Sequence, residues 1–320
     1  MNHQFIQNIH AAIQESEQSG LYKETNHLTG FSGEKFMGCL QRLAALNVTE
    51  DKVYLEIGVF QGMTLLSVAN AVQPHDVFGI DNFAFFDPEN KNYSIVKDRR
   101  EKNQLHNAHI INMDYEDALM QLEKHLGGRK IGVYFIDGPH DYRSQLVCLL
   151  LAKSYLADDA IIIIDDSNYR HVRQANNDFL MSHPEFKLIF EAYTPCHPQN
   201  MNEEQTKAAR KGWWDGVNII VRDKENILTP MFPPTHRSRQ LYENDHHIHT
   251  VRFPESGMLG QHLAEAMHER NFYQMIKLYL LFFKQYFKKK SDVPSFRFTN
   301  TYSENLPKYN LNKSIVQKVS

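Results

Sequence analysis

The chain has 320 residues, 42% hydrophobic and 23% charged, an ordinary globular composition long enough for one large domain or one domain plus an appendage. Lys+Arg number 35 against Asp+Glu 38, a net charge of −3, and without a basic excess no nucleic-acid partner is expected. Three scattered cysteines (Cys39, Cys148, Cys196) suit neither a metal spacing nor a disulfide framework, and MNHQFIQNIHAAIQESEQ lacks a basic leader with an apolar stretch, so a cytoplasmic location is expected.

Residues 1–52 read as helices ahead of a sheet, with LTGFSGEKF (28–36) a loop entering a helix. From residue 53, short β-branched runs alternate with helical patterns, which is the signature of βαβ units around a parallel sheet. VYLEI (53–57) is the first strand, and GMTLLSVANAV (62–72) is a helix with a core-facing apolar stripe. Strands follow at VFGI (77–80), HIINM (109–113), IGVYFI (131–136) and AIIII (160–164), with helices at 115–126 and 142–156. The isoleucine run carries no polar alternation, as expected of a parallel strand covered on both faces. Asp158-Asp159 just before it reads as a solvated turn. After a helix at 170–182, FKLIFEAY (186–193) and GVNIIVRD (216–223) are two strands joined by a Pro/Asn/Gln/Lys-rich insert at 195–212. With no crossover helix between them, they suggest an antiparallel pair at the sheet edge.

The expected fold is therefore α/β: a doubly wound, mostly parallel seven-stranded sheet with an antiparallel edge strand, plus N-terminal helices and a helical C-terminal extension. Boundaries fall at 1–52, 53–223 and 224–320. Within the last segment TPMFPPTHRS is a loop, DHHIHTVRF a strand candidate, 258–290 a helix ending in KKK, and the polar end a loosely ordered tail. No run approaches the ~18 to 20 apolar residues that span a bilayer.

The chemistry gathers at strand ends. LEIGVFQGMT places Glu56, Gly58 and Gly62 in the turn after the first strand, where glycine lets a ligand approach the backbone and the next helix points N–H groups at it. The spacing lacks one glycine of the dinucleotide pattern G-x-G-x-x-G, which disfavours a nicotinamide cofactor. The second strand ends in Asp81, where a carboxylate can accept from vicinal ribose hydroxyls, and the third runs into Asp114 on the adenine side. Residues 53–222 thereby resemble a class I S-adenosylmethionine-dependent methyltransferase (a Rossmann-like fold). That resemblance implies cofactor-binding roles for Glu56, Gly58, Gly62, Asp81, Asp114 and Asp137.

FIDGPHDY puts Asp137 and His140 after the fourth strand, and IIIIDDSN puts Asp165 and Asp166 after the fifth. If those strands are neighbours, about 4.8 Å apart, three carboxylates converge, and Mg²⁺ or another divalent cation is the usual remedy. The pattern resembles the metal-dependent macrocin and catechol O-methyltransferase-like group. The resemblance implies Asp137, Asp165 and Asp166 as metal ligands and His140 as the general base. The activity so implied is methyl transfer from S-adenosylmethionine to a metal-bound hydroxyl of a small molecule, a sugar among the candidates. Pro139 departs from that group, which often carries an acid there. A nicotinamide-dependent oxidoreductase and a non-catalytic cofactor-binding module are the alternatives.

Three features stand outside this set. NDHHIH (244–249) reads as a surface strand rather than a metal site, and GWWDG (212–216) either packs at the sheet edge or walls a substrate pocket. The aromatic helix NFYQMIKLYLLFFKQYFKKK (271–290) is expected to pack on the domain or a second subunit, giving a homo-oligomer, in preference to a membrane surface.

Overall fold

The computed structural model describes residues 2–24, 28–84, 86–235 and 254–287. Seven strands form one sheet: β1 (Lys52–Ile57), β2 (Val77–Ile80), β3 (Ala108–Ile111), β4 (Lys130–Ile136), β5 (Leu156–Ile164), β6 (Phe186–Ala192) and β7 (Val217–Arg222). Their order is β3-β2-β1-β4-β5-β7-β6. β1 to β5 pair in parallel, and β7 runs antiparallel to both β5 and β6. The antiparallel pair at the edge is thus β7 with β6, and β7 is slotted one place in from the outermost strand.

The isoleucine run explains the middle of this sheet. Ile161 and Ile163 face one hydrophobic cluster and Ile162 and Ile164 the other, all at most 1% exposed. Each buried isoleucine contributes about 1.5–3 kcal/mol. The first cluster is closed by α1 (His3–Ser19), α2 (Glu34–Asn47) and α3 (Met63–Val72) through Ile9, Ile13, Leu40, Leu43 and Leu65. The second is closed by α5 (Tyr115–Met120), α6 (Glu123–Leu126), α7 (Tyr142–Ala152) and α8 (Arg170–Ser182) through Leu119, Leu126, Leu149 and Phe179. The N-terminal helices are therefore one covering layer of the sheet. Asn47 fixes their register, because its Nδ2 donates at 2.9 Å to the carbonyls of both Gly132 and Asp159.

Two helices had no sequence expectation, α4 (Asn92–Lys102) and α9 (Glu203–Lys211). Both lack an apolar stripe: only Asn92 and Val96 are buried in α4, and only Ala209 in α9. α9 is instead started by a capping box between Asn202 and Gln205. The expected helix at 115–126 is split into α5 and α6, and the one at 142–156 stops at Ala152. Asp158-Asp159 is corrected from a turn to part of β5, which begins at Leu156. There the two acids meet partners, Asp158 with Lys224 and Asp159 with Lys52.

The chain divides into two compact units, Met1–Arg237 and Ser238–Ser320. Among the described residues the second unit holds α10 (Pro254–His268) and α11 (Phe272–Tyr286), so the long helix expected at 258–290 is broken near Asn271. No helix of the described residues is long and apolar enough to cross a membrane. The expected strand DHHIHTVRF, with NDHHIH inside it, and the polar tail lie outside the described residues.

Candidate active site

Strand register sets the level of the site. Ile57 pairs with Ile80 and Ile136, and Ile136 with Ile164, so Gly58, Asp81, Asp137 and Asp165 leave their strands side by side. The amide ladder continues one step past the strands: Gly58 N donates to Ile80 O, Asp137 N to Ile57 O and Asp165 N to Ile136 O. This is the carboxyl edge, at the point where β1 and β4 lead in opposite directions across the sheet, where open α/β sheets bind ligands.

The glycine turn is built by close approach. Gly58 has φ +90°, and a Cβ there would sit 1.8 Å from the Asp137 carbonyl oxygen. Gly62 has φ +80° and opens α3. Asp81 clamps the turn, its Oδ2 accepting from Val59 N and Phe60 N at 2.8 Å and its Oδ1 from Phe83 N at 2.7 Å. Asp114 is exposed and caps α5 by accepting from Glu116 N.

Glu56 lies beneath the turn, fully buried, with Tyr54 OH donating to one oxygen at 2.6 Å and Thr64 Oγ1 to the other at 2.7 Å. Burial, only partly offset by those two hydroxyls, pushes its carboxyl up to about 8. Between its unfolded value of 4.5 and about 8 the folded chain binds the extra proton, so stability decreases as pH rises through that window. Glu56→Gln is expected to flatten this dependence and to unfold at higher denaturant than the parent at pH 8.5. The difference should shrink by about 1.4 kcal/mol for each pH unit removed and vanish near pH 5. Urea titrations at several pH values measure it, and parallel curves for the two proteins contradict the assignment.

At β4 and β5 the acids converge, with the ligand-capable atoms of Asp137, His140 and Asp166 all within 4.8 Å of one another. His140 Nε2 lies 2.8 Å from Asp166 Oδ2, and its ring stacks on Tyr169 at 5.1 Å between centroids. Asp165 is 4% exposed, and its Oδ1 accepts the N–H of Asp166 at 2.8 Å. The structure therefore gathers His140 with Asp137 and Asp166, and leaves the more buried Asp165 outside that group. Asp166 holds its place with φ +52°, in the left-handed region that Asp and Asn tolerate better than most residues.

A fourth acid, Asp215, carries no sequence expectation of its own. It sits at the amino end of β7 inside GWWDG and is 1% exposed. Its carboxyl faces Asp166, has His197 Nε2 3.8 Å away, and has no hydrogen bond to either oxygen. Neighbouring Asn168 donates to Thr194 and Cys196 and accepts from Thr194 N, and its amide also steadies the Asp215 carboxylate. The turn is fastened to the end of β5 through Ser167 N to Gly216 O and Asn168 N to Asp215 O. An acid just before a strand that runs against its neighbours lands on the same edge as acids just after parallel strands. That offset is the signal in the sequence that would have found it.

Burial first, and then mutual repulsion, raise the carboxyls of Asp137, Asp165 and Asp215 above the usual carboxylate range. Burial pulls His140 down, but the hydrogen bond and charge of Asp166, helped by Asp137 and Asp215, leave it raised. Between this cluster and the glycine turn runs an aromatic bridge. Phe31, 64% exposed, is 5.6 Å from Phe60 and 6.4 Å from Trp214 between ring centroids.

No curated protein sequence matches the chain. Among solved structures, the O-methyltransferase from Bacillus cereus in complex with SAH is 14% identical, covering 70% of this chain and 92% of that one, with a TM-score of 0.45. The O-methyltransferase TomG from Streptomyces achromogenes, in complex with SAM, is 15% identical over 70% of this chain and 100% of that one, with a TM-score of 0.46. Residues 55–167, from β1 to the turn beyond β5, match the family described as a methyltransferase domain. The stretch that carries the glycine turn and the ends of β4 and β5 is thus similar to a methyltransferase domain.

Proposed function

We propose that the domain is an O-methyltransferase acting on a hydroxyl of a small molecule at the cluster formed by Asp137, His140, Asp166 and Asp215. The observation that carries this is the half-buried group of Asp137, His140 and Asp166 at the ends of β4 and β5, beside the Gly58 turn where S-adenosylmethionine would present its electrophilic methyl. Asp81 and Asp114 stand on the ribose and adenine side of that turn. Asp81 would have to share with ribose an oxygen that now accepts two backbone amides.

The donor set fits a divalent cation. A carboxyl as buried as Asp215 with no hydrogen bond costs several kcal/mol, and such a group beside Asp166 marks a place where positive charge is wanted. Asp137 and Asp166, with the second oxygen of Asp165, would hold it, as the resemblance implies. When bound, the cation would supply Lewis acidity at the hydroxyl oxygen and offset the carboxylate field that raises His140. His140 is then the proton acceptor, aimed by Asp166 and Tyr169. Orientation does most of the rest, since the methyl, the oxygen and the base need only be brought in line. The exposed Phe31 face beside Trp214 is a flat apolar surface on which a sugar ring can stack, which supports a sugar as acceptor.

Isothermal titration with S-adenosylhomocysteine tests the cofactor, and transfer of labelled methyl to a panel of hydroxylated acceptors, with and without chelator, tests the reaction. No binding of S-adenosylhomocysteine overturns the proposal. His140→Ala is expected to lower kcat by about 10² to 10⁴ while Mn²⁺ binding persists. Loss of Mn²⁺ affinity in that variant would make His140 a ligand instead of the base.

A further inference from the structure

We propose that α11 is an interfacial helix that lays an exposed apolar stripe on an anionic lipid surface, held there by the lysines along its border. Such a contact is independent of the methyltransferase reading. It stands in place of the packing on the domain or on a second subunit expected from the sequence.

Among the described residues, α10 covers one side of α11. Leu278 is buried, Met275 and Phe282 are half-buried, and a Cβ on Gly260 of α10 would sit 3.8 Å from the Phe282 ring. The side turned away from α10 is apolar and exposed. At 3.6 residues per turn, Phe272, Tyr273, Ile276, Tyr279, Leu280 and Phe283 share a stripe about 120° wide, and each is between 48% and 79% exposed. Tyr279 and Phe283, one turn apart, hold their ring planes 22° from parallel with centroids 6.4 Å apart, so the two rings form one continuous surface. A contiguous apolar stripe of this kind marks a contact with a protein or with a membrane.

Charge decides between those two. Lys277 and Lys284, two turns apart, border the stripe on one side, and Lys288, Lys289 and Lys290 follow in the sequence. Residues 271–290 contain no Asp or Glu, although the whole chain carries a net charge of −3. Positive charge is thus gathered on one short apolar segment of an acidic chain. A second copy of α11 would offer its own lysines and no carboxylate, so pairing through this face sets cation against cation. A bilayer containing anionic lipid meets both demands, its acyl boundary taking the rings and its headgroups the ammonium groups. Lysine stems are long enough to keep their charged ends among the headgroups while the neighbouring rings sit deeper. Tyr273 and Tyr279 suit the same boundary, where one end of the side chain is apolar and the other wet. Because no helix of the described residues is long and apolar enough to cross a membrane, the contact lies along the surface.

Flotation of the full-length protein with lipid vesicles tests this. Vesicles of phosphatidylcholine with about 30% phosphatidylserine are expected to carry the protein, and pure phosphatidylcholine to bind it at least about tenfold more weakly. Raising salt from about 0.1 M to about 1 M shortens the screening length from ~10 Å to ~3 Å and should release most of it. Tyr279→Ser combined with Phe283→Ser should weaken binding to the anionic vesicles at least about tenfold. Lys277→Ala combined with Lys284→Ala should do the same, at about fivefold for each lysine. All four side chains are exposed, so circular dichroism without vesicles should match the parent. A parent that does not float with the anionic vesicles overturns the proposal, as does a ring variant that binds like the parent. A dimer in sedimentation that the ring variant dissolves, with no vesicle binding, makes the stripe a subunit interface instead. Should the ring variant lose helix, Phe283→Trp decides. After subtraction of the parent's emission its indole should shift to the blue and be quenched by brominated lipid tails, and an unshifted, unquenched indole overturns the proposal.

Discussion

Gly58→Ala is expected to destabilise the first unit by more than about 4 kcal/mol, in the range reserved for substitutions that force the backbone, and to abolish binding of S-adenosylhomocysteine. Two effects combine. The residue holds φ +90°, which an L side chain adopts only with strain of order 1–3 kcal/mol. The new Cβ would also lie 1.8 Å from the Asp137 carbonyl oxygen, in backbone that carries the end of β4 and the first acid of the site. No rotamer relieves that contact, so β1 and β4 would have to separate. Gly127→Ala makes the control. That glycine also has positive φ, +60°, but a Cβ there meets nothing within 4 Å, and a loss near 1 kcal/mol is expected from strain alone. Urea unfolding followed by circular dichroism compares the two. Equal losses would mean that the Gly58 contact relaxes cheaply.

Asp166→Asn should separate stability from activity. Asn tolerates the left-handed backbone that Asp166 holds at φ +52°, and its side-chain oxygen can still accept from His140 Nε2. What disappears is one negative charge beside three acids that it pushes upward, Asp137, Asp165 and Asp215. In chelator the variant is therefore expected to be more stable than the parent by roughly 1 kcal/mol or more, one pKa unit of relieved repulsion being worth ~1.4 kcal/mol. Methyl transfer should fall by about 10³, the scale of losing a preorganised electrostatic group. Thermal unfolding with and without Mn²⁺ reads the first effect, and turnover the second. A variant less stable than the parent in chelator would show that the acids are not in conflict.

The regular part of this fold was legible because its cause is local. Ile161 to Ile164 can be buried on two faces only in a covered strand, and the glycines after β1 announce a turn that needs no side chain. α4 and α9 were illegible for the opposite reason: one buried Val96 and one buried Ala209 leave no stripe to read. Asp158-Asp159 misled because charges at the start of a strand look like a turn until their partners, Lys224 and Lys52, arrive from distant segments. The site shows the same division. Asp137, Asp165 and Asp166 follow strands and could be placed by counting; that Asp165 is buried with one oxygen tied to the Asp166 amide, while Asp166 joins Asp137 and His140, could not. Asp215 depends on the direction of β7, which no local pattern in GVNIIVRD encodes.

That direction has a further outcome. β6 delivers the chain to the crevice and β7 departs from it, so everything from Tyr193 to Gly216 begins and ends at the same rim, fastened through Asn168 to Thr194 at one end and to Asp215 at the other. Such a segment is a cassette. It can be lengthened, shortened or exchanged without sliding any strand past its neighbour, and an engineer seeking a new acceptor would transplant this stretch first and leave the sheet alone.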